Sequence, residues 1–221
     1  MGLGSGGKPV VLGTTAKKTF TVAFTATDSS GVNMAKVMMW HGPFFGKMDY
    51  GILPNTAYAS CTKVNAATVK CKQTFTVGPT YNLLNTYAGI WKLSASAQGK
   101  DFDYVLKDNV KSFRIQRNST LTAAATPKPV KKGAIVTVKG RLSRANWDTR
   151  RYGGYGSQSV KLQFRKKGST AYTTVKTVKA DAGGNLRTTV KASVSGYYRY
   201  AFAGNTTTPA AWATGDYVTV K

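Results

Sequence analysis

The stretch KTFTVAFTAT, residues 18–27, alternates apolar side chains with mostly hydroxyl-bearing ones along its whole length. Phe20, Val22 and Phe24 fall on one side of an extended chain, while threonines occupy most of the other side. A period of two is typical of a β-strand that buries one face in a core and exposes the other to solvent. Residues 18–27 are therefore predicted to form such a strand.

Runs of the same kind recur along the rest of the chain. In the second half, SVKLQFRKK (159–167) and NLRTTVKASV (185–194) alternate in the same way, and DAGGN (181–185) predicts a turn. About seven short strands in each half, spaced about 8–12 residues apart, are typical of a sandwich of two sheets. We therefore predict two tandem β-sandwich domains, residues 8–118 and 119–221.

The composition supports an all-β fold independently of any pattern. All 8 acidic residues are Asp, and the chain of 221 residues contains no Glu. Glu favours helices and is depleted in strands, whereas Thr, Val and Tyr, which are abundant here, favour strands. The hydrophobic fraction of 42% is large enough for a packed core, so the chain is not of the disordered class.

Positive charge is the strongest feature of the composition. The chain has 32 Lys and Arg against 8 acidic residues, a formal net charge of +24 at pH 7. Residues 119–221 hold 18 of the basic residues and 3 of the acidic ones. Such a charge suits an anionic partner: nucleic acid, a teichoic-acid-like or phospholipid surface, or an acidic polysaccharide. The alternative is that the charge only keeps a secreted protein soluble.

Cysteine occurs only at the two ends of CTKVNAATVKC, at Cys61 and Cys71. If this segment folds as a hairpin, the two side chains face each other across its strands, which is a geometry that suits a disulfide. A disulfide implies an oxidising compartment. Two free buried thiols or part of a metal site are the alternatives, and the metal site is poorly supported because His41 is the only histidine.

Residues suited to catalysis are scarce in this sequence. A Ser or Cys nucleophile needs a base, and His41 in WHGPFF is the only histidine available. Asp101 and Asp103 fall on one face of a predicted strand and can offer oxygen ligands to Ca²⁺, but their spacing is not that of an EF-hand loop. A solvated strand edge is the simpler explanation. We therefore expect a protein that is not an enzyme and has no metal or other cofactor.

One candidate binding segment is SRANWDTRRYGGYGSQ, residues 143–158, which joins two predicted strands at one end of the second sandwich. Loops at the ends of sandwich domains are where such domains bind ligands. Arginines there suit phosphate, sulfate or carboxylate, and aromatic rings can stack on sugars or bases. The alternative is that the tryptophan closes the sandwich and the arginines stay solvated. The candidate binding residues are Arg144, Trp147, Arg150, Arg151, Tyr152 and Tyr155.

A second candidate is the long connection HGPFFGKMDYGILPNTAY, residues 41–58, which is rich in large apolar side chains. Long loops are often functional, so this one is a candidate contact for a protein partner. An insertion into the core or a contact between domains is the alternative. The candidate partner-binding residues are Phe44, Phe45, Met48 and Tyr50.

Several stretches resemble bacterial immunoglobulin-like domains. VAFTATDSSGV (22–32) and KDNVKSFRI (107–115) match the turn after the second strand and the entry into the last strand of such domains. KPVKKGAIVTVKGRLSR (128–144) and GYYRYAFAGNTTT (196–208) are similar to immunoglobulin-like repeats of secreted actinobacterial proteins. The resemblance implies that both sandwich domains are immunoglobulin-like. The two cysteines depart from the antibody pattern because they lie within one hairpin.

In such domains a tyrosine near the start of the sixth strand caps a corner of the sandwich. Tyr198, Tyr200 and Phe202 share one face of the run GYYRYAFAG and are therefore expected to belong to this corner and to the core. The architecture serves adhesion, binding and spacer roles alike, so it does not by itself assign a function.

These observations together lead us to expect a secreted, non-enzymatic immunoglobulin-like protein. Its expected partner is an anionic cell-envelope polymer or an extracellular protein, with at most non-specific contact to nucleic acid. A structural or decoration protein of an extracellular assembly or phage particle is the alternative. No stretch approaches the roughly 18–20 apolar residues of a membrane span, and no signal peptide is recognised.

Overall fold

A computed structural model of the chain describes residues 2–3 and 8–221. Within these residues the regular structure is entirely β-sheet, apart from two 3-10 turns, Phe45–Lys47 and Asn85–Tyr87. The prediction of an all-β fold is therefore confirmed. The chain divides into two compact units, of which the first ends at Gln116 and the second begins at Arg117. The predicted domain limits, 8–118 and 119–221, stay a prediction.

The described part of the N-terminal unit contains nine strands, some of them very short. Their bounds are β1 (Gly2–Leu3), β2 (Val10–Leu12), β3 (Lys18–Thr27), β4 (Val32–His41), β5 (Tyr50–Ile52), β6 (Ser60–Lys63), β7 (Thr68–Val77), β8 (Gly89–Gly99) and β9 (Tyr104–Arg117). One sheet has the order β1-β3-β7-β6, and the other has the order β2-β9-β8-β4-β5. The long central pairs β3–β7 and β4–β8 are antiparallel.

The core of the N-terminal unit lies between these two sheets. Phe20, Val22 and Phe24 of β3 are buried, as their alternation predicts. The Phe20 ring stacks on Phe75 of its own sheet and meets Phe113 of the other sheet edge-on, with 5.9 Å between ring centroids in both pairs. Apolar burial of this kind is the main force that holds the two sheets together.

A buried polar side chain also connects the two sheets of this unit. Gln73 of β7 is only 2% exposed, and both ends of its amide are hydrogen-bonded. Its Oε1 accepts from the backbone N–H of Val37 in β4 at 2.9 Å, and its Nε2 donates to the carbonyl oxygen of Thr56 at 2.7 Å. Because a buried amide without partners would be strongly destabilising, these bonds favour one alignment of the sheets.

The predicted disulfide is confirmed. Cys61 of β6 and Cys71 of β7 are direct cross-strand partners, and their sulfur atoms are bonded at 2.03 Å. Strand β6 is exposed along its whole length and lies at the end of its sheet. The disulfide therefore ties an exposed edge strand to a buried one.

The C-terminal unit has ten strands in two sheets. Their bounds are β10 (Ser119–Leu121), β11 (Ala124–Thr126), β12 (Ile135–Asn146), β13 (Arg151–Gly154), β14 (Ser159–Lys166), β15 (Thr173–Lys179), β16 (Asn185–Lys191), β17 (Gly196–Phe202), β18 (Ala211–Trp212) and β19 (Asp216–Val218). Strand β12 is the centre of the first sheet and pairs with β10, β11, β13 and β16. The second sheet has the order β15-β14-β17-β18, and β19 also pairs with β17.

One core joins the two sheets of this unit. Val136 and Val138 of β12 pack in the same buried cluster as Val160 and Leu162 of β14. Tyr198, Tyr200 and Phe202 of β17 belong to this cluster as well, in agreement with the alternation of GYYRYAFAG. The even-numbered side chains of β17 therefore point into the core.

The structure corrects the prediction that residues 143–158 form one long loop. Strand β12 continues through Asn146, and residues 151–154 return beside it as β13, so most of the segment is a hairpin. The strand is longer than expected because β10 pairs with residues 142–144 on its other side, and residues 145–146 pair with β13. A second pairing partner stabilises strand structure where the local sequence, rich in arginine and glycine, predicts a loop.

Candidate binding site

The predicted binding residues of the 143–158 segment have very different exposures. Trp147 is only 1% exposed, so its ring is covered by protein and is not available for stacking on a ligand. This corrects its predicted role in binding and favours the alternative, in which the tryptophan closes the end of the sandwich.

Arg144 and Tyr155 are held by contacts within the protein. The Arg144 guanidinium carbon lies 3.8 Å from the centroid of the Tyr155 ring. Its Nη1 donates to the hydroxyls of Thr207 and Thr208 at 3.3 and 3.2 Å, and burial lowers the pKa of Arg144. The Tyr155 hydroxyl accepts from Nδ2 of Asn205 at 2.7 Å. Both side chains therefore help to join segments of the unit.

A neighbouring arginine that sequence analysis did not single out is buried in the same region. Arg117 donates through Nε to the carbonyl oxygen of Ala145 at 2.7 Å. Burial, assisted by the positive charge of Arg144, lowers the pKa of Arg117 to about 10. The group is still protonated at neutral pH, and its hydrogen bond to the β12 backbone indicates a structural role.

The remaining predicted members of this segment are exposed. Arg150 lies in the turn of the β12–β13 hairpin with a φ of 56°, and Arg151 begins β13. Tyr152 is 42% exposed, and its hydroxyl accepts from Nδ2 of Asn118 at 2.9 Å. Two guanidinium groups and one phenol ring thus remain accessible at the hairpin tip, and their role in binding stays a prediction.

The 41–58 segment likewise contains both packed and exposed side chains. The Phe45 ring packs edge-on against Trp40, with centroids 5.7 Å apart, and Tyr50 stacks on Tyr87 at 4.3 Å. Phe44 is 60% exposed and Met48 is 43% exposed. The two inner rings anchor the segment to the sheet, and the two outer side chains are accessible to a partner.

A third surface, which the sequence analysis did not identify, lies on the outer face of the second sheet of the C-terminal unit. Arg165 of β14 is the direct partner of Tyr197 of β17, and Tyr197 is the direct partner of Tyr217 of β19. Tyr172, just before β15, lies next to Arg165 because Thr173 pairs with Phe164. Directly opposed residues share a face of the sheet, so these four side chains form one row across it.

Close contacts hold the first arginine of this surface in place. The Arg165 guanidinium carbon lies 4.1 Å from the centroid of the Tyr197 ring and 5.2 Å from that of Tyr172. Its Nη1 donates to the carbonyl oxygen of Ser169 at 2.6 Å. The pKa of Arg165 is raised, mainly because its guanidinium group is hydrogen-bonded to Tyr172. The guanidinium is therefore fixed between rings and stays charged.

A second arginine lies in the next row of the same surface. Arg199 of β17 is the direct partner of Gln163 of β14, and its Nε donates to Oε1 of Gln163 at 2.9 Å. Its guanidinium carbon lies 3.7 Å from the centroid of the Tyr172 ring. Tyr172 thus contacts both guanidinium groups, an arrangement stabilised by cation–π attraction.

The third row places an exposed tryptophan beside a lysine. Ala201 of β17 is the direct partner of Lys161 on one side and of Trp212 on the other. The Trp212 side chain is 61% exposed, whereas Ala201 is only 6% exposed. We call the whole surface the arginine–tyrosine face; it consists of Lys161, Gln163, Arg165, Tyr172, Tyr197, Arg199, Trp212 and Tyr217.

Gly215 makes room for the ring that contacts both arginines. A Cβ atom at this position would collide with the hydroxyl of Tyr172 and would lie 3.2 Å from Cβ of Tyr197. The absence of a side chain therefore leaves room for the Tyr172 hydroxyl beside Gly215.

The acidic residues of the C-terminal unit are engaged elsewhere or lie in turns. Asp216 accepts from the backbone N–H of Ala125 at 2.7 Å and pairs with Nζ of Lys128 at 2.6 Å. Asp181 accepts from the backbone N–H of Asn185 at 2.8 Å, and Asp148 lies in the β12–β13 turn. These hydrogen bonds and the ion pair of Asp216 and Asp181 are therefore made with residues other than Arg165 and Arg199.

The sequence did contain a local signal for part of this surface. The alternation in SVKLQFRKK directs Lys161, Gln163 and Arg165 away from the core, and that in GYYRYAFAG directs Tyr197 and Arg199 away from it. What the sequence lacked was the register of β14 against β17, which brings these side chains together.

Within the part of the chain that the structure describes, no group of three or more His, Cys, Asp or Glu side chains is arranged to hold a metal ion. Asp101 and Asp103 interact locally, since the backbone N–H of Asp103 donates to Oδ1 of Asp101 at 3.2 Å. Among residues 2–3 and 8–221, no helix has the length and apolar character to cross a bilayer.

Comparison with known proteins gives one partial family match and a set of distant structural neighbours. Residues 12–97 match the model of a family of unknown function, DUF5707. No curated protein matches the chain in sequence.

Solved structures that resemble the chain include fibronectin(III)-like modules of Clostridium thermocellum CbhA, at 13% identity over 97% of this chain and 88% of that one, with a TM-score of 0.36. The amphioxus IgVJ-C2 molecule is 13% identical over 90% of this chain and 96% of that one, with a TM-score of 0.32. The D00-D0 domain of Intimin is 11% identical over 99% and 98%, with a TM-score of 0.30.

Proposed function

We propose that this protein is a secreted, non-enzymatic binding protein of the immunoglobulin-like type that associates with anionic polymers of a cell envelope. The proposal rests mainly on a pair of like charges on the first sheet of the C-terminal unit. Lys139 of β12 and Arg187 of β16 are direct cross-strand partners, and both are exposed. Like charges directly opposite each other destabilise a sheet, and a bound polyanion would remove this repulsion.

The surroundings of this pair support the proposal. Arg141 and Lys191 alternate with buried residues in the same strands and so lie on the same outer face. Residues 119–221 hold 18 basic residues and 3 acidic ones, so most of their cations have no acidic residue to pair with. Polyanions bind such surfaces by releasing their own counterions, which makes the affinity depend on salt.

The proposed location outside the cell rests on the disulfide. The bond between Cys61 and Cys71 needs an oxidising compartment to persist, and secreted proteins meet that condition. The non-enzymatic assignment rests on the side chains that the sequence offers, since His41 is its only histidine and it contains no Glu. His41 is engaged with Asp49, with 2.8 Å between Nδ1 and Oδ1.

A salt series on purified cell walls tests the proposal. The full chain is incubated with walls before and after chemical removal of their anionic polymers, at ionic strengths from about 0.05 to 0.5 M. We expect retention on intact walls that falls steeply with salt, and little retention on stripped walls. Equal retention on both preparations, or retention that salt does not change, would contradict charge-based binding.

A second candidate function is a structural or decoration role in an extracellular assembly. The observation that favours it is the exposure of Phe44 and Met48 on the anchored 41–58 segment. Exposed apolar side chains grouped in one segment are typical of protein–protein contact sites. Sedimentation of the chain at increasing concentration tests this: self-association that Phe44→Ser/Met48→Ser abolishes supports it, and a monomer at all concentrations contradicts it.

A further inference from the structure

The arginine–tyrosine face has the properties of a preorganised anion site. Arg199 is held between Gln163 and the Tyr172 ring, and Arg165 is held between Tyr197 and the carbonyl oxygen of Ser169. Free arginine side chains lose conformational entropy when a ligand fixes them. Here that loss has already occurred in the folded protein, so a ligand meets guanidinium groups that are already in place.

The N–H edges of these guanidinium groups are the part that is left for a ligand. A tyrosine ring covers one face of each group, at 3.7 Å for Arg199 and 4.1 Å for Arg165. The edges that remain are forked hydrogen-bond donors, which match the paired oxygens of carboxylate, sulfate or phosphate. Lys161 adds a third cation on the same surface, two residues along β14 from Gln163.

Trp212 supplies a free aromatic ring on the same surface. It is 61% exposed, whereas the other tryptophans of the chain, Trp40, Trp91 and Trp147, are at most 1% exposed. A large ring left in solvent on a sheet face is a common feature of ligand-binding surfaces, since its flat apolar side can cover a sugar ring.

The tyrosine rings of this surface are already covered by other side chains, which favours a polysaccharide ligand over a single-stranded nucleic acid. Proteins that bind single strands stack successive bases on several free aromatic faces. On this surface Tyr172 and Tyr197 are covered by guanidinium groups, and Tyr217 packs on Tyr197 with centroids 4.9 Å apart. Trp212 thus provides one stacking position, with anion contacts beside it.

We infer that the arginine–tyrosine face is the recognition site for an anionic polysaccharide, with Arg165, Arg199 and Lys161 binding its acidic groups and Trp212 stacking on a sugar ring. The inference deepens the proposed function and rests on it, because it assigns the polymer class and the site. It adds that binding depends on where the charges lie as well as on how many there are.

Two variants of equal charge test this distinction. Arg165→Gln/Arg199→Gln alters the arginine–tyrosine face, and Lys131→Gln/Lys132→Gln removes the same charge from exposed positions of the same unit outside this face. The probe is dextran sulfate, with uncharged dextran as the control polymer, and binding is measured by calorimetry at one salt concentration. We expect the first variant to lose about 10-fold or more in affinity and the second to lose about 3-fold or less.

Equal losses in the two variants would overturn the inference while leaving the proposed function intact, because they would show binding by net charge alone. Failure of the unaltered chain to bind any anionic polymer would overturn the proposed function itself. Far-ultraviolet circular dichroism and thermal midpoints establish that both variants are folded before their affinities are compared.

A charge-neutral variant gives a second measurement. Trp212→Ala removes the exposed ring and leaves the net charge unchanged, and we expect it to weaken dextran sulfate binding about 5-fold. No change in affinity would contradict the stacking role. Oligothymidylate serves as a competitor: if it binds more tightly than dextran sulfate and loses affinity in Trp212→Ala, the site belongs to nucleic acid and the inference is wrong.

Discussion

The hydroxyl of Tyr200 donates a hydrogen bond to the carbonyl oxygen of Val138, 2.9 Å away, across the core of the C-terminal unit. The two residues belong to different sheets, β17 and β12, and both are 0% exposed. The bond therefore fixes the second sheet against the first at one atom pair, in addition to the apolar packing around it.

Removing this hydroxyl is expected to destabilise the C-terminal unit. Tyr200→Phe keeps the ring but leaves the Val138 carbonyl without this partner, and we expect a loss of about 1–3 kcal/mol in the free energy of unfolding. Urea unfolding followed by circular dichroism measures it. Tyr197→Phe on the outer face is the matched control, and a loss of equal size in that control would contradict the assignment.

The same residue predicts a dependence on alkaline pH. Burial raises the pKa of Tyr200 to about 12, while in the unfolded chain it is about 10. Between these values the unfolded state loses a proton that the folded state retains, so this residue's contribution to stability falls as pH rises, by roughly 2–3 kcal/mol. Unfolding free energies of the wild type and Tyr200→Phe should therefore converge from pH 10 to pH 12. A constant difference would contradict this.

Gly140 of β12 permits the close approach of the Tyr200 ring. A Cβ atom there would collide with the carbonyl oxygen of Thr122 and would lie 2.7 Å from Cδ2 of Tyr200. We expect Gly140→Ala to lower the unfolding free energy by about 1–3 kcal/mol through overpacking. Gly153→Ala is the control, because nothing lies within 4 Å of a Cβ at that position. Thermal unfolding of both variants tests the difference, and equal stability would refute it.

Loss of the disulfide is expected to act mainly on one edge of the N-terminal unit. Cys61→Ala/Cys71→Ala opens a short loop, for which chain entropy predicts a loss of about 2–3 kcal/mol. Because β6 is exposed and pairs with β7 alone in the sheet order, its amides should exchange with solvent faster while those of β3 change little. Hydrogen exchange measured by mass spectrometry tests this, and uniform acceleration across both strands would be the opposite result.

The exposed arginines of the β12–β13 hairpin allow a separate test of that segment. Arg150→Ala/Arg151→Ala should leave the thermal midpoint nearly unchanged because both side chains are exposed. If the hairpin tip contacts the polymer, retention on cell walls should fall more than in Lys131→Ala/Lys132→Ala, which removes two exposed charges elsewhere in the same unit. Equal retention in both variants would exclude the hairpin as a specific site.

Features that depend on a short stretch of chain were predictable from the sequence. The alternation of Phe20, Val22 and Phe24 reveals the buried face of β3 because strand periodicity is local. The pairing of Cys61 with Cys71 could be predicted for the same reason, since the two residues lie in one hairpin. Burial of Tyr198 and Tyr200 also follows from the alternation within one strand.

Features that depend on the register between distant strands were not predictable. Arg165 and Tyr197 meet because β14 and β17 pair in one register among many, and no local pattern specifies it. Trp212 lies in a strand of two residues, which is too short to show a period. The extension of β12 through Arg144 depends likewise on pairing with β10, whose contribution is absent from the local sequence.

The contrast between Trp212 and the three buried tryptophans gives the protein a built-in optical reporter. An iodide or acrylamide quencher reaches a ring that is 61% exposed far more readily than rings that are at most 1% exposed. The quenchable part of the tryptophan fluorescence therefore originates almost entirely from one position on the arginine–tyrosine face. Occupancy of that surface can therefore be followed at Trp212 in the unlabelled protein, in the presence of any colourless polymer.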